Sequence, residues 1–382
     1  MDVFINDVSF FLPNEPVSNE NIEDVLGVIN GVPSRTKNVI LRSNKIKTRY
    51  YAIDPETKKQ THTNAQLTCE AIKNLKPYTG YTPNDIELIS CGSASPDTTL
   101  PGLGVMAHGE LGTGPCEVVT ASGVCLSGVS ALKYAYMSVA TGNTQNAVAT
   151  GSELASTTLR ADFFHHTRNG EIGNPETNPE VIFNADFLRW MLSDGAGAMY
   201  LSNKKNDTSL SLKIEWIELI SYAGELNTCM YAGGEQQDDG SIKGYREFSN
   251  IGEAMQHNVM AIQQDVKLLN DEIVNVMVDR TLSTIAKKRK LKPGNITWYL
   301  PHFSSGYFGQ KIHDRMAEIG FAIPMDKWFT NLYTKGNIGS ASIYVILEEL
   351  FHSDKLKIGD KILMMVPESG RFSTAYTLLT VV

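Results

Sequence analysis

Short apolar runs alternate with helix-compatible segments along most of the chain, and this alternation is the strongest constraint on its fold. Residues 62–75 and 126–139 carry apolar side chains at helical spacing. Other runs have the length and composition of strands, namely DVFINDVSFFL, IELISCGSA, CEVVTAS, NAVATGSE and SDGAGAMYLS. Strands that alternate with helices predict an α/β architecture in which helices cover a central sheet.

The second half of the chain repeats this order of elements. LKIEWIELIS and NITWYLPHFSS predict strands, residues 251–291 and 339–352 predict helices, and DKILMMVPESGRFSTAYTLLTVV predicts a closing hairpin. A strand, a small-residue turn and a helix occur around Cys125 and again around Asn337, which suggests an internal duplication. We therefore expect two similar halves, residues 1–203 and 208–382.

The acidic balance of the chain disfavours one broad class of function. Its 382 residues include 42 acidic and 34 basic side chains, which gives a formal net charge of -8. Neutralising phosphates requires a basic surface, so nucleic-acid binding is not expected. The N-terminal residues lack the regions of a secretory signal, and no apolar run approaches the roughly 20 residues that cross a bilayer. Five cysteines without a CxxC pair favour a reducing compartment, so the predicted location is the cytoplasm.

Cys125 is the strongest candidate for chemistry. It lies in VVTASGVCLSGVSALKYAYMSVA, where a β-branched strand meets a small-residue turn and a helix follows. This pattern predicts a thiol at a helix N-terminus, where the dipole and the free N–H groups favour thiolate and lower its pKa. Small flanking residues such as Gly123 and Gly128 are expected to leave room for a substrate. The residues alone are equally compatible with a buried, unreactive cysteine.

His302 and Asn337 are weaker candidates when each is taken alone. His302 ends the strand in WYLPHFSSG, so its ring could donate a hydrogen bond into a cleft or simply be a satisfied structural histidine. Asn337 precedes the helix in TKGNIGSASIYVILEEL, where a capping or turn asparagine is the more common interpretation. The pair His165 and His166 has no third ligand at suitable spacing, so no metal site is predicted.

Taken together, these segments resemble the ketoacyl synthase III group of the thiolase superfamily. TASGVCLSG is similar to its nucleophile turn, LKPGNITWYLPHFSS to the strand before its histidine, and TKGNIGSASIYVILEEL to its G-N-T-x-A-A-S asparagine loop. Three more stretches agree in order and spacing, so the resemblance covers nearly the whole chain: RSNKIKTRYYA, SDGAGAMYL and KIGDKILMMVPESGRFSTA.

The resemblance implies a thiolase fold with duplicated halves in a five-layer αβαβα arrangement and a Cys–His–Asn site. Cys125 would attack an acyl thioester and hold the acyl group covalently, while the backbone N–H groups of Cys125 and Gly370 stabilise the oxyanion. His302 and Asn337 would donate hydrogen bonds to the carbonyl of a second thioester. The resulting enolate would attack the acyl group and form a carbon–carbon bond, with no metal or redox cofactor.

The loop after His302 departs from the family pattern H-Q-A-N-x-R, because Ser305 replaces the asparagine and Tyr307 the arginine. With GVCLSG and INDVSFFLPN, this loop resembles the ketosynthase/cyclases of dialkylresorcinol and stilbene-type pathways. That resemblance implies an enzyme that joins two acyl thioesters, at least one a β-ketoacyl thioester, and closes a cyclohexanedione ring. Ring closure needs a further acid or base, for which Glu153 is the candidate; a structural or solvated glutamate is the alternative.

Further residues fall at family positions that contact the acyl chain or its carrier. Leu100 matches the position where the partner subunit of a homodimer shapes the acyl tunnel, and ordinary dimer packing is the alternative. Arg42 and Arg49 match contacts to coenzyme A or an acyl carrier protein, and a solvated face is equally compatible. Ser305 lies in the loop that helps to hold this donor. The expected substrates are therefore acyl-CoA or acyl carrier protein thioesters.

Other functions remain open at this point. One is a chain-initiating 3-oxoacyl-ACP synthase III that condenses acyl-CoA with malonyl-ACP. A second is simple acyl transfer to an alcohol or amine, which Asn337 disfavours. A third is an inactive partner subunit that only sets chain length. Such partners usually lose the nucleophile, so the presence of Cys125 together with His302 and Asn337 argues against it.

Overall fold

The computed structural model describes residues 1–31, 33–164, 186–257 and 259–382. Most of the polar loop predicted at residues 162–187, with His165 and His166, lies outside the described residues. The described strands are, in chain order, β1 (Phe4–Phe11), β2 (Val17–Ser18), β3 (Thr48–Arg49), β4 (Leu88–Ser93), β5 (Glu117–Ser122), β6 (Asn146–Glu153), β7 (Gly195–Ser202), β8 (Leu212–Ser221), β9 (Met230–Tyr231), β10 (Gly234–Gln236), β11 (Ile242–Gly244), β12 (Gln263–Gln264), β13 (Trp298–Pro301), β14 (Lys361–Glu368) and β15 (Ser373–Val381).

The helices predicted at residues 62–75, 126–139 and 339–352 are present, the segment predicted at residues 251–291 differs as described below, and the other helices were not predicted. In chain order the described helices are α1 (Ile22–Leu26), α2 (Lys37–Asn44), α3 (Asn64–Lys73), α4 (Leu103–Leu111), α5 (Ser127–Thr141), α6 (Ser156–Leu159), α7 (Ile251–Gln256), α8 (Val266–Val274), α9 (Ser283–Arg289), α10 (Tyr307–Glu318), α11 (Leu332–Lys335) and α12 (Ser342–Phe351). A π-helical segment, Asn275–Leu282, joins α8 to α9, so residues 266–289 form one continuous helical rod.

The prediction of one helix over residues 251–291 is wrong in its first third. The short helix α7 ends at Gln256, and β12 then pairs antiparallel with β9. A new helix starts only after Asp265, whose side chain accepts a hydrogen bond from the Leu268 N–H at 2.8 Å. This capping bond satisfies an N–H group that the first helical turn leaves free.

Nine of the strands form one mixed sheet in the order β13-β14-β15-β8-β1-β7-β6-β4-β5. In the N-terminal half, β4 is parallel to β6, β6 is antiparallel to β7, and β7 is antiparallel to β1. In the C-terminal half, β13 is parallel to β14, β14 is antiparallel to β15, and β15 is antiparallel to β8. Four strands of each half therefore share one order and one set of directions.

Alternate side chains of each strand pack into different cores, which separates the fold into layers. On β14, Ile362, Met364 and Val366 join the core that contains α5 and α12. Leu363 and Met365 point the other way, into the core that contains α8, α9 and α10. Helices α3 and α4 cover the opposite face of the N-terminal strands. The order of layers is α3/α4, N-terminal strands, α5/α12, C-terminal strands and α8–α10, which is the αβαβα arrangement of the thiolase fold.

Candidate active site

Cys125, Glu153 and Asn337 line one pocket, which we call the Cys125 pocket. Strand β6 ends at Glu153, Cys125 lies in the turn before α5, and Asn337 lies in the loop before α12. Much of the remaining wall is apolar and includes Leu188, Met191, Leu192, Met230 and Ile262. An apolar chamber with a few polar groups is the usual form of a small-molecule site.

Close backbone packing brings the two halves together at this pocket. A Cβ on Gly128 or on Gly151 would lie 2.3 Å from the Ser340 carbonyl oxygen, so neither position can carry a side chain without displacing the Ser340 loop. The expectation that Gly128 leaves room for a substrate is therefore wrong. Because Gly128 has no side chain, the loop that carries Asn337 can pack directly against it.

The Cys125 thiol is partly accessible from the pocket and lies two residues before the first residue of α5. Burial raises the pKa of Cys125, and the nearby carboxylates of Glu153 and Glu368 raise it further, while its own backbone N–H lowers it. The prediction of a lowered pKa is therefore wrong. The helix N-terminus is present as predicted, but two acidic groups oppose the thiolate there.

Asn337 is fixed through its backbone and through one end of its side chain. Its N–H donates to the Met191 carbonyl at 3.0 Å, and its carbonyl accepts from the Ser193 N–H at 2.8 Å. The side-chain Oδ1 accepts from the Gly339 N–H at 2.9 Å. Because an N–H group can bond only to the oxygen end of the amide, Nδ2 is the free end. No acceptor for Nδ2 exists among the described residues.

His302 follows β13 directly, and its N–H donates to the Met365 carbonyl at 2.8 Å. The residue is 2 % exposed, and burial lowers the pKa of its imidazole to about 4. The ring is therefore neutral at physiological pH and carries one N–H donor. Within the described part of the chain, neither ring nitrogen has a hydrogen-bond partner. His302 itself does not line the Cys125 pocket, although Ser304 of the same loop does.

Glu153 is buried, and its carboxylate is held by three hydrogen bonds. Oε1 accepts from the backbone N–H groups of Ala94 and Ser340, both at 3.2 Å, and Oε2 accepts from the Ser95 hydroxyl at 2.6 Å. Burial raises the pKa of Glu153, whereas these hydrogen bonds lower it. The carboxylate thus connects the end of β6 to the Ser340 loop and still faces the pocket.

Two residues expected to contact the substrate carrier are placed where they cannot do so. Arg49 is fully buried, and its guanidinium donates to the Trp190 carbonyl and to the Asn19 side chain. Ser305 is 2 % exposed and its hydroxyl accepts from the Tyr307 N–H, so Ser304 lines the pocket instead. Both predictions are wrong, because a strand and a loop bury these side chains inside the fold.

The remaining predicted residues lie nearer the surface or outside the pocket wall. Arg42 is exposed on α2, and Leu100 is 81 % exposed. Gly370 is buried, and its carbonyl accepts from the Cys229 and Met230 N–H groups. Its own N–H has no acceptor among the described residues, while the adjacent Ser369 lines the pocket.

Sequence reasoning missed five polar residues of the pocket wall, Ser95, Ser193, Gln264, Ser304 and Ser369, and one carboxylate near Cys125, Glu368. Ser369 donates to Gln264 at 3.3 Å, and the Gln264 amide donates to the Cys229 carbonyl at 3.0 Å. Ser304 has no hydrogen-bond partner in the described ranges of the chain. Ser304 and Glu368 were visible as polar residues in otherwise small or apolar turns, but nothing in the sequence pointed to Gln264.

In the described residues, no helix combines the length and apolar character needed to span a membrane.

Comparisons with known proteins find relatives over most of the chain. Residues 286–378 match the family described as 3-oxoacyl-[acyl-carrier-protein (ACP)] synthase III C terminal. A beta-ketoacyl-[acyl-carrier-protein] synthase III of Clostridium perfringens is 23% identical over 356 residues, which cover 93% of this chain and 92% of that protein.

Solved structures share the whole fold at low sequence identity. AbyA1, a tetronic acid condensing enzyme, has a TM-score of 0.74 at 17% identity and covers 99% of both chains. OleA of Xanthomonas campestris, solved with lauric acid and lauroyl-CoA, has a TM-score of 0.74 at 16% identity, over 100% of this chain and 99% of that one. The 3-oxoacyl-(acyl carrier protein) synthase III of Xanthomonas oryzae pv. oryzae has a TM-score of 0.75 at 17% identity, with the same coverage. The chain is therefore similar to 3-oxoacyl-[acyl-carrier-protein] synthase III over most of its length and shares the fold of these condensing enzymes.

Proposed function

We propose that this enzyme joins two acyl thioesters, at least one of them a β-ketoacyl thioester, through an acyl-Cys125 intermediate and then closes a cyclohexanedione ring. One observation carries the proposal. A nucleophilic thiol, an amide with a free N–H end and a buried carboxylate face a single pocket whose wall is largely apolar. Such a chamber suits an acyl chain, and its polar groups suit the reacting carbonyl carbons.

The first step in this proposal transfers the acyl group to Cys125. The bond between the acyl carbon and the donor sulfur breaks, a bond to the Cys125 sulfur forms, and the sulfhydryl proton leaves on the released donor thiol. The Cys125 and Gly370 N–H groups are the proposed donors to the tetrahedral oxyanion. The free Gly370 N–H supports this role.

The second step forms the carbon–carbon bond. Asn337 Nδ2 and the neutral His302 ring donate hydrogen bonds to the carbonyl oxygen of the second thioester as it becomes an enolate. The Asn337 amide is oriented by the Gly339 N–H, the main chain of His302 is held by the Met365 carbonyl, and burial keeps the His302 ring uncharged. Fixed donors in a dry site stabilise developing negative charge more than the same donors in water. The enolate carbon attacks acyl-Cys125 and the bond between the acyl carbon and the Cys125 sulfur breaks. The proton lost from the α-carbon of the second thioester ends on the released Cys125 thiol.

Ring closure forms a second carbon–carbon bond and breaks the remaining thioester bond, so the carrier leaves as its thiol. The step requires a group that moves a further proton from the chain to this thiol, and Glu153 is the proposed base. Its carboxylate faces the pocket, and burial brings its pKa above the ordinary range for glutamate. A carboxylate with a raised pKa is a better proton acceptor than one in water. Three polar residues of the wall, Ser304, Gln264 and Ser369, supply partners for the extra oxygen of a β-ketoacyl chain.

An acyl carrier protein is the proposed donor partner, beside coenzyme A. Arg42 is exposed on α2, and the last residue of α2, Asn44, accepts a hydrogen bond from the Gly306 N–H of the His302 loop at 2.9 Å. The exposed cation therefore lies on a helix that contacts the active-site loop. Acidic partners are attracted by such groups over several ångströms.

The second candidate function is chain initiation from acyl-CoA and malonyl-ACP. The name of the full-length Clostridium perfringens relative favours it. In this alternative, decarboxylation of malonyl-ACP forms the enolate, and Glu153 holds the Ser340 loop without transferring a proton.

The two functions are separated by product analysis with purified protein. We expect β-ketoacyl and acyl thioesters, supplied on coenzyme A and on carrier protein in parallel, to give an acyl adduct on Cys125 and then a cyclic product without malonyl-ACP. An adduct followed only by malonyl-dependent, open-chain 3-oxoacyl product would support chain initiation instead. Absence of any adduct with every donor would contradict both and indicate an inactive partner subunit.

A homodimer formed through the β5 edge is part of the proposal. Strand β5 ends the nine-stranded sheet, and large apolar residues are exposed on the helices beside it, including Val105 on α4 and Met137 on α5. An unpaired strand edge flanked by apolar side chains favours pairing with a second copy. Leu100, in the loop before α4, would then approach the partner chain.

We expect the double variant Val105→Glu, Met137→Glu to elute as a monomer in size-exclusion chromatography with light scattering. Four new charges per dimer would have to be buried at the contact, which costs several kcal/mol. The matched control is Ile358→Glu, because Ile358 is 78 % exposed in the loop before β14. A double variant that stays dimeric, or a parent protein that is already monomeric, would contradict this assembly.

A further inference from the structure

Ser95 lies in the loop that follows β4, and its hydroxyl is held between two partners. The Leu154 N–H donates to the Ser95 oxygen at 2.8 Å, and the Ser95 hydroxyl donates to Glu153 Oε2 at 2.6 Å. A hydroxyl has one proton, and a backbone N–H can only donate. The Ser95 proton is therefore directed at the Glu153 carboxylate and not at the main chain.

The main chain of Ser95 is held by a buried side chain at the start of α3. Asn64 is fully buried, and its Nδ2 donates to the Ser95 carbonyl at 2.7 Å and to the Ser93 hydroxyl at 2.9 Å. The Ser93 hydroxyl also accepts from the Ser95 N–H at 3.0 Å. Because both polar groups of the Ser95 main chain are bonded, the fold itself sets the point from which the hydroxyl reaches Glu153.

The hydrogen bonds of the Glu153 carboxylate leave one position open. Each carboxylate oxygen has two lone pairs. Those of Oε1 are used by the N–H groups of Ala94 and Ser340. Among the described residues, Ser95 uses one of the two on Oε2. Ser95 and Glu153 both line the Cys125 pocket, so a bound chain can approach the open position on Oε2.

The Glu153 side chain is also confined by the loop that carries Asn337. A Cβ on Gly339 would lie 2.9 Å from Glu153 Cγ and 3.0 Å from Oε1, so the carboxylate packs directly against the Gly339 main chain. The titratable group that faces Glu153 in the pocket is Cys125. The carboxylate is thus fixed by Ser95 at one oxygen and by the asparagine loop at the other.

We propose that Ser95 is a positioning residue that holds Glu153 so that Oε2 is the atom that exchanges the proton in ring closure. This inference rests on the proposed role of Glu153 as base. Oε2 takes a proton from a carbon of the bound chain, and the electron pair of that C–H bond forms the second carbon–carbon bond. The carrier thioester bond breaks in the same closure, and the proton passes from Oε2 to the released sulfur.

The first test reads Glu153 without turnover, by ¹³C NMR titration of protein labelled at the glutamate carboxyl carbon. The Glu153 resonance is identified by its absence in Glu153→Gln. A hydroxyl that donates to a carboxylate stabilises the charged form, so its loss favours the protonated form. Ser95→Ala should therefore raise the titration midpoint of Glu153 by about one unit or more.

Two comparison variants separate this hydrogen bond from general packing. Ser95→Thr keeps the hydroxyl and should keep the midpoint of the parent protein. Ser90→Ala removes a fully buried hydroxyl of β4 that donates to the Ala131 carbonyl at 2.9 Å, and it should leave the midpoint unchanged. Equal midpoints in Ser95→Ala and the parent would overturn the proposal. So would a parent Glu153 that stays protonated up to about pH 8, because Oε2 would then not be open to a proton.

The second test follows the reaction in Ser95→Ala. The acyl adduct on Cys125 should form at the rate of the parent, whereas ring closure should slow by about tenfold or more, because Oε2 is no longer held in place. The decline of ring closure at low pH should move upward together with the NMR midpoint. Ring closure at the parental rate would contradict the role of Ser95. A parent protein that forms no ring would contradict the proposed function, while the titration would still decide whether Ser95 holds Glu153.

Discussion

Replacing Cys125 with alanine is expected to remove the acyl adduct from intact-protein mass spectra and to lower turnover by on the order of 10⁴-fold or more. The reason is that no other group in the pocket can store the acyl chain as a thioester. Carboxylates and hydroxyls also face this pocket, but none of them is a nucleophile comparable to a thiol. Stability should change little, because the thiol makes no hydrogen bond to another described residue.

Cys116→Ala is the matched control for this prediction. Cys116 is also a partly exposed free thiol, but it precedes β5 and does not line the pocket. This variant should form the same adduct at the same rate as the parent protein. Undiminished turnover in Cys125→Ala, or an adduct that maps to Cys116, would refute the covalent mechanism.

Replacing His302 with alanine is expected to separate the two steps. Cys125 should still be acylated, whereas carbon–carbon bond formation should fall by about 10²- to 10⁴-fold, because one of the two donors to the enolate oxygen is lost. Single-turnover measurements that follow adduct and product separately would detect this split. The matched control is His313→Ala, since His313 lies on α10 and pairs with Asp314 at the surface.

The pH dependence of the parent enzyme tests the same role of His302. The pKa of His302 is about 4, so the imidazole remains neutral throughout the ordinary range of pH 5 to 8. As pH falls, the rate of the condensation step should therefore not decline with a midpoint near 6.5. A decline in rate caused by protonation of His302 should begin only close to pH 4. A midpoint near 6.5 that disappears in His302→Ala would show that the ring is solvated in the working enzyme.

The sequence predicted the fold well because local patterns determine it. The predicted strands and most predicted helices began within a few residues of their expected positions, since the apolar spacing of each segment matches the face that it buries. Helices α2, α4 and α10 were not predicted. The boundary near residue 257 was missed, because residues 251–291 favour helix locally and only the pairing of β12 with β9 interrupts it. The division at residues 203 and 208 stays a prediction.

The site was predictable in its residue types but not in its electrostatics. Cys125 and Asn337 share one pocket, yet their proposed roles await experiment. The sign of the Cys125 pKa shift depends on Glu153 and Glu368, which lie 28 and 243 residues away along the chain. Burial of Arg49 against Trp190 is likewise a contact between distant segments. Local sequence predicts the helix N-terminus at Cys125, but it cannot predict the distant carboxylates that oppose a thiolate there.

The contact of Gly128 and Gly151 with the Ser340 carbonyl has a practical consequence for anyone who wishes to alter chain-length selectivity. The two glycines and the Ser340 carbonyl are already in close contact. Widening the pocket from this side would therefore move α5 away from the asparagine loop and disable the enzyme. Another part of the wall is built differently, because Met230 lies in β9 and Ile262 directly before β12, a short strand pair outside the nine-stranded sheet. Redesign for longer or bulkier acyl groups should therefore begin with trimming those two side chains.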